Sequence, residues 1–335
     1  TSYNVAVGYQ AGKEVTTGKQ NTIVGGLAGD ALTTGQFNVA LGYSALSSED
    51  SYGKTVAIGY LALATQNAST DTFNVAVGME AGKFVTTGIY NVLLGGLAGD
   101  ALTTGSSNIA IGLNALGAED TGSDSIAIGR SALLNQNHDG SAYNVAIGRD
   151  AGKEVSTGVK NTIIGGLAGD ALTSSQRSVA IGYLALSSET GSDRSVAIGA
   201  DALKSQNIGS SNSYNTAVGD SAGEEITTGT LNTLIGGLAG DALTTGGANV
   251  AVGYQALSSE DAHGKNVAIG YQSLLSQNAG ADAYNVAIGF TAGLSVTTGI
   301  QNVIVGGLAA DALTTGGGNV ALGDRALSAE DTGNP

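Results

Sequence analysis

The groups that could bind a cation or move a proton recur at fixed intervals along this chain. Asp30, Asp100, Asp170, Asp241 and Asp311 occupy one place in a long repeat, and Lys13, Lys83, Lys153, Glu224 and Leu294 stand one short repeat before them. The first three pairs read as Lys–Asp contacts between neighbouring repeats, each contributing about 0.2–1 kcal/mol at a wet surface. In the fourth, Glu224 faces Asp241, the one arrangement that resembles a metal site. Hard cations take carboxylates, but calcium wants roughly six to eight oxygens. Two exposed carboxylates supply too few, so screened repulsion is the expected state. Glu49-Asp50, Glu119-Asp120, Glu260-Asp261 and Glu330-Asp331 read the same way, as solvated acids in outer turns. His138 and His263 lie in variable turns without a recurring partner. A catalytic site needs unlike groups converging on one point. Every unit here repeats the last, so neither an enzyme nor a cofactor is expected.

The elements that carry these groups repeat at two nested periods. Asn4, Asn74, Asn144, Asn215 and Asn285 open the long units, which are of equal length except that the third is longer by one. Within a unit, a phrase of the form Asn-Val-Ala-Ile-Gly returns in even steps, at Asn4, Asn21, Asn38 and Thr55, before a slightly longer step to Asn74. There are nineteen copies in all. Such self-similarity marks a stacked architecture. We number each coil from its Asn. Position 5 is glycine in all nineteen copies, position 4 is Val, Ile or Leu, and position 2 is Val, Ile or Thr. Position 8 is alanine except at Ser273. A short β-branched run closed by glycine reads as a strand ending at a bend. Helix is excluded, because the apolar residues miss a 3.6-residue face.

The second half of the coil comes in two forms. The first two coils of a unit carry glycine at position 9, alanine once at Ala310, and an apolar residue at position 12, as in Gly29 and Leu32. The last two place leucine at position 9, as in Leu46 and Leu63. One core slot filled from alternative places accounts for this exchange. Stacked parallel strands about 4.8 Å apart make nineteen coils a rod on the order of 90 Å long. The expected fold is all-β, one parallel β-solenoid over residues 1–335. Neither end carries an atypical capping coil, so a longer fibre is expected to continue past both.

Position 3 is alanine in most coils and larger in the second coil of each unit: Ile23, Leu93, Ile163, Leu234 and Ile304. With positions 2 and 4 also apolar, both strand faces want burial. These five residues are therefore expected at an interface between chains. Asn, Ser or Thr at position 1 suggests a polar ladder that satisfies turn backbone. An aromatic precedes each opening Asn: Tyr3, Phe73, Tyr143, Tyr214 and Tyr284. They are expected to cover the long fourth turn or touch a neighbouring chain. Thr-Thr-Gly ranks such as Thr16-Thr17 and Thr33-Thr34 occupy two coils in four, too broken for a threonine face that matches ice.

Ser195-Val196-Ala197-Ile198-Gly199 and its relatives resemble the YadA-like head repeats of trimeric autotransporter adhesins, and related repeats in bacteriophage tail fibres. The resemblance implies a left-handed β-roll, three chains about a threefold axis, displayed on a cell or virion surface. The coils of this chain are longer than those head repeats, by a few residues placed in the outer turn. A net charge of −15 with thirteen scattered basic residues excludes a phosphate-neutralising surface. No apolar run is long enough for a membrane helix, and the absence of cysteine excludes disulfides and Cys-based metal sites. The expected role is a structural shaft of an extracellular attachment fibre, self-associated as a homotrimer and meeting the host surface through a tip beyond this segment. The alternative is an adhesin head whose turns bind glycan or matrix directly.

Overall fold

A computed structural model describes residues 2–332. The chain divides into two compact units, Thr1–Gly166 and Leu167–Pro335. The first holds ten three-residue strands, from β1 (Val5–Val7) to β10 (Thr162–Ile164). The second holds nine, from β11 (Val179–Ile181) to β19 (Val320–Leu322). Within each compact unit every strand pairs in parallel with the next and in register, as Val5 with Thr22 or Val196 with Thr216. Each is a parallel β-solenoid, and no helix occurs among the described residues.

A strand of three residues can close a whole coil only if the chain turns sharply elsewhere. It does so at four places of positive φ per coil, illustrated by Tyr143 (φ 54), Gly148 (φ 137), Asp150 (φ 58) and Gly152 (φ 56). Two of these corners explain the glycine pattern. A Cβ added at Gly199 of position 5 would fall 2.1 Å from the carbonyl oxygen of Gly219 in the next coil. No side chain fits there, so glycine is obligatory. At position 9, a Cβ on Gly29 would fall 2.8 Å from Leu32 Cδ1. Leucine takes that corner only where position 12 is not aliphatic. Leu46 (φ 53) and Leu63 (φ 49) are left-handed and fully buried. Left-handed backbone costs a leucine about 1–2 kcal/mol, which burial worth about 1.5–3 kcal/mol offsets.

Position 3 corrects the sequence reading. Ile23, Leu93, Ile163, Leu234 and Ile304 are 0% exposed within their own chain. They are core, not an interface. Successive strand residues alternate sides, and the middle one points inward: the burial pattern along β4 (Val56–Ile58) is intermediate, buried, intermediate. The interior is narrow, so alanine suffices in most coils. The larger residue of the second coil occupies the volume that the two position-9 glycines leave. A Cβ on Gly12 would lie 2.9 Å from Ile23 Cδ1, and one on Gly82 2.5 Å from Leu93 Cδ1. Only one strand face is thus buried by the chain. Positions 2 and 4 form its outer face, with Leu41 40%, Ile147 36% and Ile235 40% exposed.

Candidate functional site

The polar interior of each coil is built on position 1. Asn21 Nδ2 donates to the Gly35 carbonyl at 2.9 Å, closing its own coil, while its Oδ1 accepts the Asn38 N–H at 2.9 Å, tying on the next. The same pair recurs at Asn232, with Gly246 O at 3.0 Å and Asn249 N at 3.0 Å. These side chains are buried, and the expected polar ladder is present.

A second polar column is one that the sequence reading misses. Position 12 of the third and fourth coils carries Glu and Gln: Glu49 and Gln66, Glu119 and Gln136, Glu189 and Gln206, Glu260 and Gln277, all 0% exposed. Glu49, Glu119 and Glu260 are therefore not the solvated outer-turn acids expected. Their turn folds back over the carboxylate, whose oxygens collect the N–H groups that a tight polar turn leaves unpaired. Glu189 Oε1 accepts from the N–H of Thr190 (2.9 Å), Gly191 (3.0 Å) and Ser192 (2.9 Å). Its Oε2 accepts from Ile208 N (3.1 Å) and Gln206 Nε2 (3.1 Å). The Gln carbonyl in turn accepts from Asn215 Nδ2 at 2.8 Å. Glu–Gln–Asn thus runs from the third coil of one repeat unit into the first coil of the next. The signal is present in the sequence, because Glu and Gln recur in register with Leu32 and Leu102. It is masked by the neighbouring Asp50 and Asp120, which are only half-buried.

The electrostatics differ among the four copies. Burial pushes the Glu119 carboxyl above its ordinary range, against hydrogen bonds from Gln136, Gly122 and His138. Burial acts on Glu189 too, but bonds from the Ser192 side chain and from the Ser192, Ile208 and Gly191 N–H groups prevail and hold it low. Burial raises Glu260, opposed by the His263 and Ala279 N–H groups and the His263 charge, and assisted by Asp261.

The fourth repeat unit departs from the others. Gln66, Gln136 and Gln206 each donate to a position-1 hydroxyl: Thr55 (3.1 Å), Ser125 (2.9 Å) and Ser195 (2.8 Å). In the fourth unit that place is Asn266, and both Asn266 Nδ2 and Gln277 Nε2 are buried without a hydrogen-bond partner. His263, placed in the sequence as an exposed turn residue, sits over Glu260 with Nδ1 3.5 Å from Oε1. Glu260, Asp261 and His263 bring one ligand atom each within 4.8 Å of one another. His138 makes no such cluster; its N–H donates to Glu119 Oε2 at 3.2 Å.

The surface ion pairs also differ from expectation. Lys13 pairs with Glu14 (3.0 Å) and Lys83 with Glu80 (3.2 Å), along the same coil rather than across to Asp30 and Asp100. Lys153 meets Glu154 at 3.3 Å. At the candidate cation stack, Glu224 Oε1 is 3.2 Å from Lys204 Nζ, so a cation from the protein already faces it. Burial raises the Asp241 carboxyl, and Glu224 and Glu225 add to the rise. Threonine hydroxyls join coils, as Thr16 Oγ1 to Thr33 O (3.1 Å) and Thr33 Oγ1 to Asp50 O (2.9 Å).

The aromatics before each opening Asn are exposed, from 46% at Phe73 to 74% at Tyr3. Lys54 lies over the Phe73 ring at 4.9 Å and Phe73 stacks on Tyr90 at 5.6 Å. Another aromatic row borders the far end of the strands, at position 6. There Tyr43 stacks on Tyr60 at 5.8 Å, and Tyr254, Tyr271 and Phe290 form a column spaced 5.7 and 5.3 Å. No protein-family model matches the chain, and no curated protein matches it.

Proposed function

We propose that this chain is a structural spacer, the shaft segment of an extracellular attachment fibre on a virion or bacterial surface. In this reading it associates with copies of itself, as the homotrimer of the adhesin-like repeats would, and holds a receptor-binding tip away from its base. The observation that supports it most is the Asn ladder. A buried side chain in coil after coil is committed to closing its own turn and bonding the next, so the interior is given over to cohesion along the stack. Coil-to-coil bonding through Asn, Thr and backbone resists local opening and proteolysis, while the acidic surface keeps the chain soluble. Nothing in this role calls for catalysis or nucleic acid.

Length is the property that tests it. Inserting one further copy of residues 144–214 should lengthen the particle by about 19 Å, four coils at ~4.8 Å each, as read by small-angle scattering or electron microscopy. No increment, or saturable binding to a glycan array by this segment alone, would move the reading to an adhesin head. Hydrolysis of surface polysaccharide by the segment would overturn the non-enzymatic assignment.

A further inference from the structure

In three repeat units the turn after the buried glutamate closes on Tyr52, Gly122 or Ser192; in the fourth it closes on His263. The imidazole lies back over the carboxylate, with Nδ1 3.5 Å from Glu260 Oε1. Asp261, next to Glu260 in the chain, brings a carboxylate oxygen to within 4.8 Å of both. Among the described residues, no other place gathers three groups of this kind.

Two further observations show that these groups are short of partners. The His263 Nδ1 atom is shut off from solvent and makes no hydrogen bond, to Glu260 or to anything else described. Glu260 is also the least satisfied glutamate of its column. Glu49 accepts from Tyr52 N, Ala68 N and Gln66 Nε2. Glu119 accepts from Gly122 N, His138 N and Gln136 Nε2. Among the described residues Glu260 accepts from His263 N at 3.1 Å and Ala279 N at 3.4 Å, and from no side chain. Gln277, 0% exposed and next in the column, leaves its Nε2 unbonded where its counterparts reach the carboxylate.

The spacing suits a metal ion. Zinc bonds to imidazole nitrogen and carboxylate oxygen are about 2.0–2.2 Å long, so at a tetrahedral angle two such ligand atoms stand ~3.4 Å apart. Nδ1 and Oε1 are at 3.5 Å. The Asp261 carboxylate is exposed, and rotating it must close a gap of at most 4.8 Å to ~3.4 Å. The turn that carries the three is held from the coil before. His263 O accepts from Asn249 Nδ2 at 3.3 Å, and Asp261 O accepts from Thr244 Oγ1 at 2.8 Å. Nearby Asp282 is engaged by Lys265, Oδ2 to Nζ 2.6 Å. Two carboxylates remain, the charge that balances a dication.

We propose that Glu260, Asp261 and His263 bind one divalent transition-metal ion of the zinc type, through Nδ1 and one oxygen from each carboxylate, with the fourth position left to solvent. An imidazole among the ligands selects against calcium and magnesium, which take oxygen. The ion pins the one turn whose glutamate has lost its Gln partner. The site is independent of the spacer reading, which is tested by the length increment.

Isothermal titration of ZnCl2 into the intact chain, stripped with EDTA and held at neutral pH so that the ligands are deprotonated, should give one ion per chain in the micromolar range. CaCl2 should give no binding. His263→Tyr, which installs the residue found at this place in the first unit, should weaken zinc binding at least about a hundred-fold. Asp261→Asn changes only an exposed side chain, and so tests the site should His263→Tyr disturb the turn; it should cost at least about ten-fold. His138→Tyr should change nothing. Zinc at a hundred times its Kd should slow hydrogen exchange across residues 258–266 about a hundred-fold and leave residues 186–195 as they were. No binding up to about 1 mM zinc, weaker than any specific site, would overturn the proposal. So would wild-type affinity in either ligand variant, or equal slowing across both segments.

Discussion

Removing the Glu189 carboxylate should open its coil more than any other single polar substitution in the chain. Five N–H donors converge on it, beside the Ser192 hydroxyl: the N–H groups of Thr190, Gly191, Ser192 and Ile208, and Gln206 Nε2. Glu189→Ala leaves them without an acceptor in a site of zero exposure. Counting about 1 kcal/mol for each, the cost is ~4–5 kcal/mol, at the upper end of single substitutions. Glu189→Gln keeps one oxygen for the three turn N–H groups and turns an amide toward Gln206 and Ile208, so it should cost about half as much. Solenoid coils can open locally, so a global melt is the wrong assay. Hydrogen exchange of peptides across residues 186–210 is the right one. Protection should fall about a thousand-fold for Glu189→Ala, at 1.36 kcal/mol per decade, and peptides several coils away should be unaffected. A loss below ten-fold in both variants would mean that the carboxylate does not organise this turn.

Gly199→Ala should be strongly destabilising, because it combines a φ of 141 with a Cβ 2.1 Å from the Gly219 carbonyl oxygen; failure to lower the melting temperature would refute the close-approach account. The buried carboxylates should respond to pH with opposite signs. Glu119 is raised in the folded state, so its proton is favoured by folding; the burial penalty appears as pH rises from about 4.5 through its folded pKa. Glu189 is lowered, so its stabilisation is present above about 4.5 and lost as pH falls towards its folded value. Local exchange at pH 7 should therefore be less harmed by Glu119→Gln than by Glu189→Gln, and equal effects would contradict the assignment. Ala283→Ser places a hydroxyl where Thr72 Oγ1 accepts from Gln66 Nε2 at 3.3 Å. It should satisfy Gln277 and stabilise the fourth repeat unit by about 1 kcal/mol, seen as slower exchange across 264–285; faster exchange would sink it.

Strand positions, the stacking order and the glycine corners are legible because they repeat nineteen times, and each repeat constrains the same backbone. The exchange of Gly29–Leu32 for Leu46–Glu49 is half legible: the aliphatic swap stands out, and the Glu beside it reads as surface. Charge alone suggests exposure, and only the folded turn brings the N–H groups of Tyr52 and Ala68 onto Glu49. The side of position 3 is hidden for a related reason. Alternation says that Ile23 faces away from Thr22 and Val24, but not which side is inside. That depends on coil width, and so on the empty corners at Gly12 and Gly29, which no single strand reveals.

The Glu–Gln–Asn column also decides how this chain can pair with itself while folding. Near-identical coils that follow one another directly in sequence close quickly, and they can equally close out of step. Looping out the fourth coil of the third unit would set Glu189 beside Ile226, a carboxylate stripped of its Gln206 and Ile208 donors. A slip of four coils, by contrast, returns each position-12 side chain to a neighbour of the same kind, Glu to Gln and Gln to an aliphatic residue. Proofreading at position 12 is therefore strict for one, two or three coils and blind to four, so chain length is free to change in quanta of one whole repeat unit with the Glu–Gln–Asn column kept in step.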